Sequence, residues 1–351
     1  MSLRHRLALC IIGPLFLGQR PPCGAEELPL VSWQGQTMGT VYTVKIAGAA
    51  LSEPQLEALQ TEAEQRLAEL NRQMSHYQPD SELSRFNRAP ARVPFRVSAE
   101  FARVIRFALD ICHRSGGAFD PTLAPVINAW GFGEKTSQRR VPSDTELQTA
   151  AGKTGWRHLT ITPDDELVKD IPDLALNLGA VAKGFGADEL ARLLAGHGLT
   201  NIYVSIAGEV RVLGHNARKT RWRVGIAAPL EHWRENDPMA AALSLSDQAV
   251  STSGDYQNFF RDPLGRRLCH IIDPRTSWPP QHDLAGVSVV APDAMTADAL
   301  ATTLFVLGPE AGLRFIEGFE NAVALFITRD PDGRFRQSPS SRFAEVTGYR
   351  P

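Results

Sequence analysis

Cysteine is scarce in this sequence, with four residues in a chain of 351. Cys10 and Cys23 fall within the first 25 residues, so the rest of the chain holds only Cys112 and Cys269. Two cysteines form at most one disulfide, and they exclude a structural zinc site built from four thiolates. Each of these two cysteines follows an aliphatic residue, which favours buried thiols over a disulfide bridge.

The chain also lacks an excess of positive charge and lacks long apolar runs. Its formal net charge is −2 at pH 7, which argues against a dedicated nucleic-acid-binding protein. Beyond the N-terminal segment, no stretch reaches the run of about 18 apolar residues that indicates a membrane-spanning helix. We therefore expect membrane contact to be peripheral or absent. With 43 % hydrophobic and 22 % charged residues, the composition is that of an ordinary globular protein.

The N-terminus has the pattern of a secretory signal. Two arginines precede the apolar run 7–18, which is too short to span a bilayer comfortably, and small residues follow at 23–25. A basic start, an apolar centre and a small-residue cleavage site together mark a signal peptide. The pattern predicts a signal peptide at residues 1–25, cleavage after Ala25, and one exported domain at 26–351.

Lipid attachment at Cys23 is the alternative reading of the same segment. Small residues are expected immediately before a lipidated cysteine, whereas Pro21 and Pro22 occupy those positions here. We therefore favour an ordinary secretory signal over a lipoprotein signal.

Hydrophobic periodicity predicts a mixed chain of helices and strands. Residues 38–46 alternate apolar and polar side chains as a strand does, and a helix follows the capping residue Ser52. A second helix is expected at 98–113, and residues 175–194 resemble a strand, a glycine-rich turn and a helix. Further strands are predicted at 202–206, 222–227, 248–252, 269–272 and 287–291, and a last helix at 296–307. This interleaving indicates an α+β or mixed α/β fold with a central sheet.

The segment GGAFDPT combines two adjacent glycines, Gly116 and Gly117, with the Asp-Pro pair that begins at Asp120. The glycines allow the backbone to approach a ligand closely, and a turn of this kind exposes its carboxylate. The alternative is an ordinary helix end followed by a turn.

In the segment LNLGAVAKGFGADEL, three glycines surround Lys183 where a helix is expected to begin. Backbone N–H groups at a helix start suit a phosphate, and a lysine adds a positive charge. The spacing matches neither the dinucleotide-binding fingerprint nor the Walker loop. A turn required only for packing remains the alternative.

The segment HIIDPRTSWP brings His270, Asp273 and Arg275 together shortly after STSGDY. A histidine close to a carboxylate and a positively charged arginine is a candidate for proton transfer. A structural histidine is an equally strong reading of these residues alone.

Asp298 and Thr302 are four residues apart in a predicted helix and therefore lie on one face. A carboxylate and a hydroxyl are hard oxygen ligands of the kind that Mg²⁺ prefers. The alternative is an Asp that faces solvent and a Thr whose hydroxyl bonds back to its own helix.

Seven segments together carry a resemblance to a known family. The sequence resembles the ApbE family of flavin transferases from about Met38 to Gly308, with its motifs in the family's order. The matching segments are MGTVY, MSHYQPDSELSRFN, GGAFDPTLAPV, LGAVAKGFGAD, VSTSGDY, HIIDPRT and TADALATTLFVLG.

This resemblance implies a T-fold-related architecture with central β-sheets flanked by helices, and a periplasmic enzyme that requires Mg²⁺. Such enzymes cleave the pyrophosphate of FAD, join FMN to a threonine or serine hydroxyl of another protein through a phosphoester, and release AMP. Acceptors in the family are flavin-carrying subunits of membrane electron-transfer complexes, of the sodium-pumping quinone reductase or Rnf type. Some relatives serve nitrous-oxide respiration.

The resemblance also implies roles for individual residues. Asp298, Thr302 and the main-chain carbonyl of Ala180 would hold Mg²⁺. His270 and Asp273 are candidates for removing the proton of the incoming hydroxyl. The residues expected to bind FAD are Met38, Tyr77, Ala118, Phe119, Asp120, Asn177, Lys183 and Ile272.

Four positions depart from the family pattern. Asn177 stands where Asp is common, Ala180 where Thr or Gly occurs, Ala207 in place of the first glycine of a pair, and Ser277 in place of a glycine. We expect an active enzyme, with a shift in acceptor preference at most. Two other hypotheses remain: an FAD pyrophosphatase that uses water instead of an acceptor, and a non-catalytic protein that binds or delivers FAD.

Overall fold

A computed structural model describes residues 27–133, 138–231, 234 and 236–350. The predicted signal peptide at 1–25 lies outside these residues. The α-helices in the described part of the chain are α1 (Glu53–Met74), α2 (Glu82–Arg88), α3 (Ala99–Arg114), α4 (Ala124–Ala129), α5 (Asp144–Ala151), α6 (Ala182–Gly196), α7 (Ala294–Ile316) and α8 (Phe343–Thr347).

The strands form one large sheet and three small ones. They are β1 (Leu30–Thr37), β2 (Thr40–Ala47), β3 (Phe95–Arg96), β4 (Leu159–Ile161), β5 (Glu166–Lys169), β6 (Ile202–Ile206), β7 (Glu209–Leu213), β8 (Trp222–Ala227), β9 (Met239–Leu245), β10 (Ala249–Gly254), β11 (Phe259–Arg261), β12 (Arg267–Cys269), β13 (Leu284–Ala291), β14 (Val323–Arg329) and β15 (Phe335–Pro339).

The large sheet has eight strands in the order β1-β2-β6-β7-β10-β13-β14-β15, and all its neighbours are antiparallel. Two-stranded sheets form between β8 and β9 and between β11 and β12, and a three-stranded sheet has the order β3-β5-β4. The predicted mixed fold with a central sheet flanked by helices is confirmed.

Both faces of the large sheet are covered, which explains the pattern of its central strands. On one face, α6 and α7 contact β6, β7, β10 and β13. On the other, side chains of the β8–β9 hairpin pack against the sheet. Because side chains alternate along a strand, Val289 joins the helix-side core and Val290 the hairpin-side core. All eight residues of β13 are buried as a result.

Helix α7 is the long apolar helix of the core. By length and composition alone it could cross a membrane, but most of it is buried inside the domain. It bends at Gly308, where φ is +78°, next to Pro309. A proline has no N–H to donate, so the carbonyl of Phe305 lacks its usual helical partner. The ring of His282 takes that place, with Nε2 2.7 Å from the Phe305 oxygen.

Several predicted elements are confirmed, with shifted ends. The strand expected at 38–46 begins at Thr40, because Met38 and Gly39 form the turn after β1. The helices expected after Ser52 and at 98–113 are α1 and α3, and the helix predicted at 296–307 is the part of α7 that ends at the bend at Gly308. The strand predicted at 269–272 ends at Cys269.

The prediction of a strand at the start of 175–194 is wrong, because no strand lies between β5 and α6, a stretch that the structure describes throughout. Only an isolated bridge joins Ala175 to Leu123. The side-chain amide of Asn87 bonds both the N–H and the carbonyl of Leu176, at 2.7 and 3.0 Å. The N–H of Asn177 donates to the Pro121 carbonyl at 2.8 Å. These contacts satisfy the backbone polar groups that a sheet would otherwise pair.

Helix α2 was not predicted, because it lies within a polar segment. Ser81 caps it by accepting a hydrogen bond from the N–H of Ser84 at 3.0 Å. Leu83 and Phe86 bury its apolar face. The cysteine prediction is confirmed, since Cys112 and Cys269 are free and buried.

Candidate functional site

A cavity of about 460 Å³ opens at the edge of the large sheet, between the start of α6, helix α7 and the segments around β11 and β12. It gathers most of the residues singled out from the sequence. Those that line it are Tyr77, Ala118, Phe119, Asp120, Asn177, Ala180, Lys183, His270, Ile272, Asp298 and Thr302.

Met38 does not line this cavity. It lies at the β1–β2 turn with a positive φ of 48°, and its side chain packs close to Gly186 of α6. The prediction that Met38 binds FAD therefore receives no support from its position.

Asp273 does not line the cavity either. Its carboxylate accepts hydrogen bonds from the Arg275 N–H at 2.9 Å and from the Arg275 guanidinium at 2.8 Å. Its own N–H and carbonyl close the turn that ends at Trp278. These contacts stabilise the turn, so the predicted catalytic role of Asp273 receives no support from the structure.

The site begins where α6 and α7 cross at very short distance. A Cβ added to Gly184 would lie 2.1 Å from the carbonyl oxygen of Ala294, so only glycine fits there. The N–H of Gly184 donates to Oδ2 of Asp298 at 3.1 Å. This close crossing places the buried Asp298 carboxylate against the start of α6.

A second carboxylate holds the two helices together. Asp188 of α6 accepts hydrogen bonds from the N–H groups of Ala294 and Met295 at 2.8 and 2.9 Å. These N–H groups belong to the first turn of α7 and have no partner within the helix. Burial raises the pKa of Asp188 to about 6 despite these bonds. Asp188 therefore fixes the start of the helix that carries Asp298 and Thr302.

Lys183 points its ammonium group at a cluster of oxygen atoms. Nζ lies 2.9 Å from Oε1 of Glu209 and 3.8 Å from Oδ2 of Asp298, and it donates to the carbonyl of Gly179 at 3.1 Å. Burial acts to lower the pKa of Lys183, but the charges of Asp298 and Glu209 outweigh it and raise that pKa overall. Lys183 therefore stays protonated.

The pKa of Asp298 is raised above its ordinary value. Burial is the largest cause that raises its pKa; Lys183 opposes that rise, and Glu209 adds to it. Thr302, one turn further along α7, has its Oγ1 3.2 Å from Oγ of Ser253. A buried carboxylate and a hydroxyl on the same helix face suit a hard divalent cation.

The donor set fits Mg²⁺. Asp298, Thr302 and Ala180 line the same cavity, so a carboxylate and a hydroxyl lie near the residue whose main-chain carbonyl would be the third ligand. No cluster of three or more His, Cys, Asp or Glu side chains with metal-binding geometry occurs among the described residues. One carboxylate with neutral oxygen donors is the arrangement expected for Mg²⁺, which keeps waters and binds substrate phosphates.

His270 lies just after β12 and lines the same cavity. Its Nδ1 lies 3.2 Å from the carbonyl oxygen of Asn258, so the proton resides on Nδ1 and the lone pair on Nε2. The ring is exposed to the cavity while protein atoms surround it on the other sides. This partial loss of water, with the positive charges of Lys183 and Arg139, lowers the pKa of His270 to about 4. The imidazole is therefore neutral near pH 7.

Two of the predicted FAD-binding residues shape loops with their side chains. Asp120 accepts hydrogen bonds from the N–H and hydroxyl of Thr122 at 2.8 and 2.6 Å, and from the N–H of Trp156 at 3.0 Å. Asn177 accepts one from the N–H of Gly179 at 2.8 Å. An amide oxygen performs that task as well as a carboxylate, which explains how Asn can replace Asp at 177.

Glu209 and Asp188 were not found from the sequence. Glu209 follows the turn that connects β6 and β7, and the sequence pattern there pointed only to the Ala207–Gly208 pair. Glu209 also lies 26 residues from Lys183 in the chain. Asp188 lies five residues beyond Lys183 on α6, but no spacing in the sequence links it to the start of α7. A buried acidic residue in a strand or helix was the only available signal.

The fold gathers a lysine, a carboxylate, a hydroxyl and an imidazole in one cavity. The ApbE family model matches residues 38–327. The chain belongs to the ApbE family.

Named relatives agree with this assignment over nearly the full chain. The FAD:protein FMN transferase of Vibrio cholerae is 39 % identical over 91 % of this chain and 92 % of its own length. The enzyme of the same name from Haemophilus influenzae is 35 % identical, over 92 % and 93 %.

Solved structures agree as well. The flavin transferase ApbE from Vibrio cholerae superimposes with a TM-score of 0.82 at 39 % identity, covering 91 % of this chain and 99 % of that one. The apo form of the Pseudomonas stutzeri flavinyl transferase ApbE gives 0.82 at 34 % identity, covering 93 % and 99 %. The expected ApbE-like architecture is thereby confirmed.

Proposed function

We propose that this enzyme transfers FMN from FAD to a threonine or serine hydroxyl of another protein, with Mg²⁺ as cofactor and AMP as the leaving product. The observation that carries the proposal is that Lys183, Asp298, Thr302 and His270 converge on one cavity. They supply a fixed positive charge, hard oxygen ligands and a neutral imidazole. Phosphoryl transfer needs these parts more than it needs a covalent catalyst.

The reaction breaks one phosphorus–oxygen bond and forms another. The acceptor oxygen attacks the phosphorus of the FMN half, the bond from that phosphorus to the bridging oxygen breaks, and AMP leaves with the bridging oxygen and its electron pair. Nε2 of His270 takes the proton of the acceptor hydroxyl, since its lone pair is free. When bound, Mg²⁺ supplies neutralising charge for the diphosphate.

Individual residues would position the donor. Lys183 offers a charged hydrogen-bond donor to the diphosphate from the first turn of α6. Tyr77 and Phe119 present flat apolar surfaces in the same cavity, as an isoalloxazine ring requires. Ala118, Asp120, Asn177 and Ile272 line the space between these groups.

We also propose that the enzyme acts in the periplasm on flavin-carrying subunits of membrane electron-transfer complexes. The signal pattern at residues 1–25 supports export. The acceptors expected from the family are subunits of sodium-pumping quinone reductase or Rnf type, or an accessory protein of nitrous-oxide respiration.

The test uses the exported chain, residues 26–351, with FAD, Mg²⁺ and a candidate acceptor subunit from the same organism. We expect the acceptor to become covalently fluorescent, to gain the mass of FMN less one water, and to stay unlabelled when EDTA is present from the start. Rapid release of FMN and AMP without an acceptor would show a pyrophosphatase instead. Tight FAD binding with neither label nor AMP would show a binding protein.

A further inference from the structure

Glu209 is a buried carboxylate of the cavity wall to which the proposed reaction gives no task. It begins β7 after a two-residue turn in which Ala207 and Gly208 both have positive φ, at 55° and 109°. The residue is only 6 % exposed. Its Oε1 pairs with Lys183 at 2.9 Å, while Oε2 is buried with no hydrogen-bond partner among the described residues.

The charges that line the cavity do not suit a diphosphate by themselves. Three of its lining residues are acidic, namely Asp120, Glu209 and Asp298, whereas Lys183 is its one Lys or Arg in the described chain. Two of these carboxylates lie within 4 Å of the Lys183 ammonium. The positive charge that would attract a diphosphate is therefore already neutralised, with negative charge in excess.

Glu209 is the nearer of the two partners, and it stands on a different element from the proposed cation ligands. Asp298 belongs to α7, whereas Glu209 reaches Lys183 from β7. A cation on Asp298 and Thr302 would compensate the negative charge that Asp298 and Glu209 together place around Lys183. The affinity of the cavity for an anion then depends on whether that cation is present.

We propose that Glu209 makes the binding of FAD depend on the divalent cation, because its charge neutralises Lys183 and repels the diphosphate until the cation is bound. Glu209 is thus a positioning residue that acts through Lys183 and the local field, without contact to FAD. This inference rests on the proposed function. In thermodynamic terms, Glu209 increases the coupling between the cation site and the diphosphate site.

The variant Glu209→Gln tests this coupling, because it keeps the shape and one acceptor oxygen but removes the charge. We expect FAD to bind about tenfold more tightly to this variant in EDTA, since one repelling charge near the diphosphate is gone. The ratio of FAD affinity with Mg²⁺ to that with EDTA should fall by a similar factor. If Glu209 only held the wall together, its loss would weaken FAD binding in both conditions.

The measurement is titration of flavin fluorescence with the exported chain, without any acceptor, in Mg²⁺ and in EDTA. Glu310→Gln, an exposed change on α7, is the matched control and should keep the wild-type ratio. Lys183→Gln is the second variant and should raise the ratio, because the Mg²⁺-free cavity then holds no cation. Lys183→Gln tests the same balance of charges if Glu209→Gln lowers the melting temperature of the protein.

The outcomes separate this inference from the proposed function. If wild-type protein binds FAD with equal affinity in Mg²⁺ and EDTA, or if Glu209→Gln keeps the wild-type ratio, the coupling role of Glu209 is wrong while flavin transfer stands. If wild-type protein does not bind FAD in either condition, both fall.

Discussion

The two sides of the cavity are built in different ways. The helical wall (Ala180, Lys183, Asp298 and Thr302) rests on α6 and α7, whose crossing is fixed by Gly184 and by the carboxylate of Asp188. The hairpin wall (Asn258 and His270) flanks the two short strands β11 and β12, with Asn258 just before β11 and His270 just after β12. Asp298 is 3 % exposed, whereas His270 is exposed to the cavity.

This difference suits the two halves of the proposed reaction. Charged groups that bind a cation and a diphosphate work best when they are fixed in advance, which packed helices provide. A group that takes a proton from a visiting protein must instead remain accessible. The helical wall would hold the donor, and the hairpin wall would meet the acceptor.

Removing the carboxylate of the helical wall should have the largest effect. Asp298→Ala should slow acceptor labelling by about a thousandfold or more, because cation binding and charge neutralisation are lost together. The rate of fluorescent labelling measures this. Asp332→Ala, an exposed change in the turn before β15, should label at the wild-type rate. Labelling by Asp298→Ala within tenfold of wild type would contradict the assignment.

A change in the hairpin wall should alter the rate of labelling and not the affinity for FAD. His270→Gln should lower the labelling rate by about a hundredfold, in the range found for a lost general base, with FAD affinity unchanged. Single-turnover labelling and flavin fluorescence measure the two quantities separately. The matched control is His158→Gln, which changes an exposed histidine that does not line the cavity. An equal loss of FAD affinity would assign His270 to donor binding instead.

The helix crossing can be tested by stability instead of rate. Gly184→Ala should lower the free energy of unfolding by about 1–3 kcal/mol, because its Cβ would overlap the Ala294 carbonyl. Urea denaturation measures this change. Gly196→Ala, where no atom lies within 4 Å of the added Cβ, should be neutral or slightly stabilising. Equal stability of the two variants would mean that the crossing relaxes easily.

The smallest expected effect concerns the titration of His270. Its pKa of about 4 lies below the ordinary value of 6.5, so the unfolded chain binds a proton between these pH values that the folded chain does not. Stability should therefore fall as pH drops from about 6.5 toward 4, and less so in His270→Gln. Nuclear magnetic resonance of the FAD-free protein should place the His270 midpoint near 4. A midpoint near 6.5 would contradict the loss of water around the imidazole and the influence of Lys183 and Arg139.

Sequence reasoning succeeded where the local pattern and the tertiary structure agree. The apolar spacing of α1 and α3 and the chain order of the motifs were enough to predict those helices and the family. It failed for residues 175–178, since Asn87 and Pro121 satisfy their backbone from distant parts of the chain. It also missed α2, whose polar composition hides the buried Leu83 and Phe86.

The candidate site divides in the same way. Asp298 and Thr302 could be paired from their spacing alone, since residues four apart share a helix face. The ion pair between Lys183 and Glu209 could not, because it joins a helix to a strand through the β6–β7 turn. Met38 and Asp273 carry the right residue types in matching motifs, but their side chains point into a packing contact and a turn instead of the cavity.

The amino-acid sequence by itself determined the class of fold, the family, and the chemical groups available for catalysis, because periodicity and motif order are local properties of the chain. Only the tertiary structure decided which charges face one another: Lys183 between Glu209 and Asp298, and Asp188 at the start of α7. Electrostatic balance depends on distances of a few ångström between residues far apart in sequence, and packing alone sets those distances.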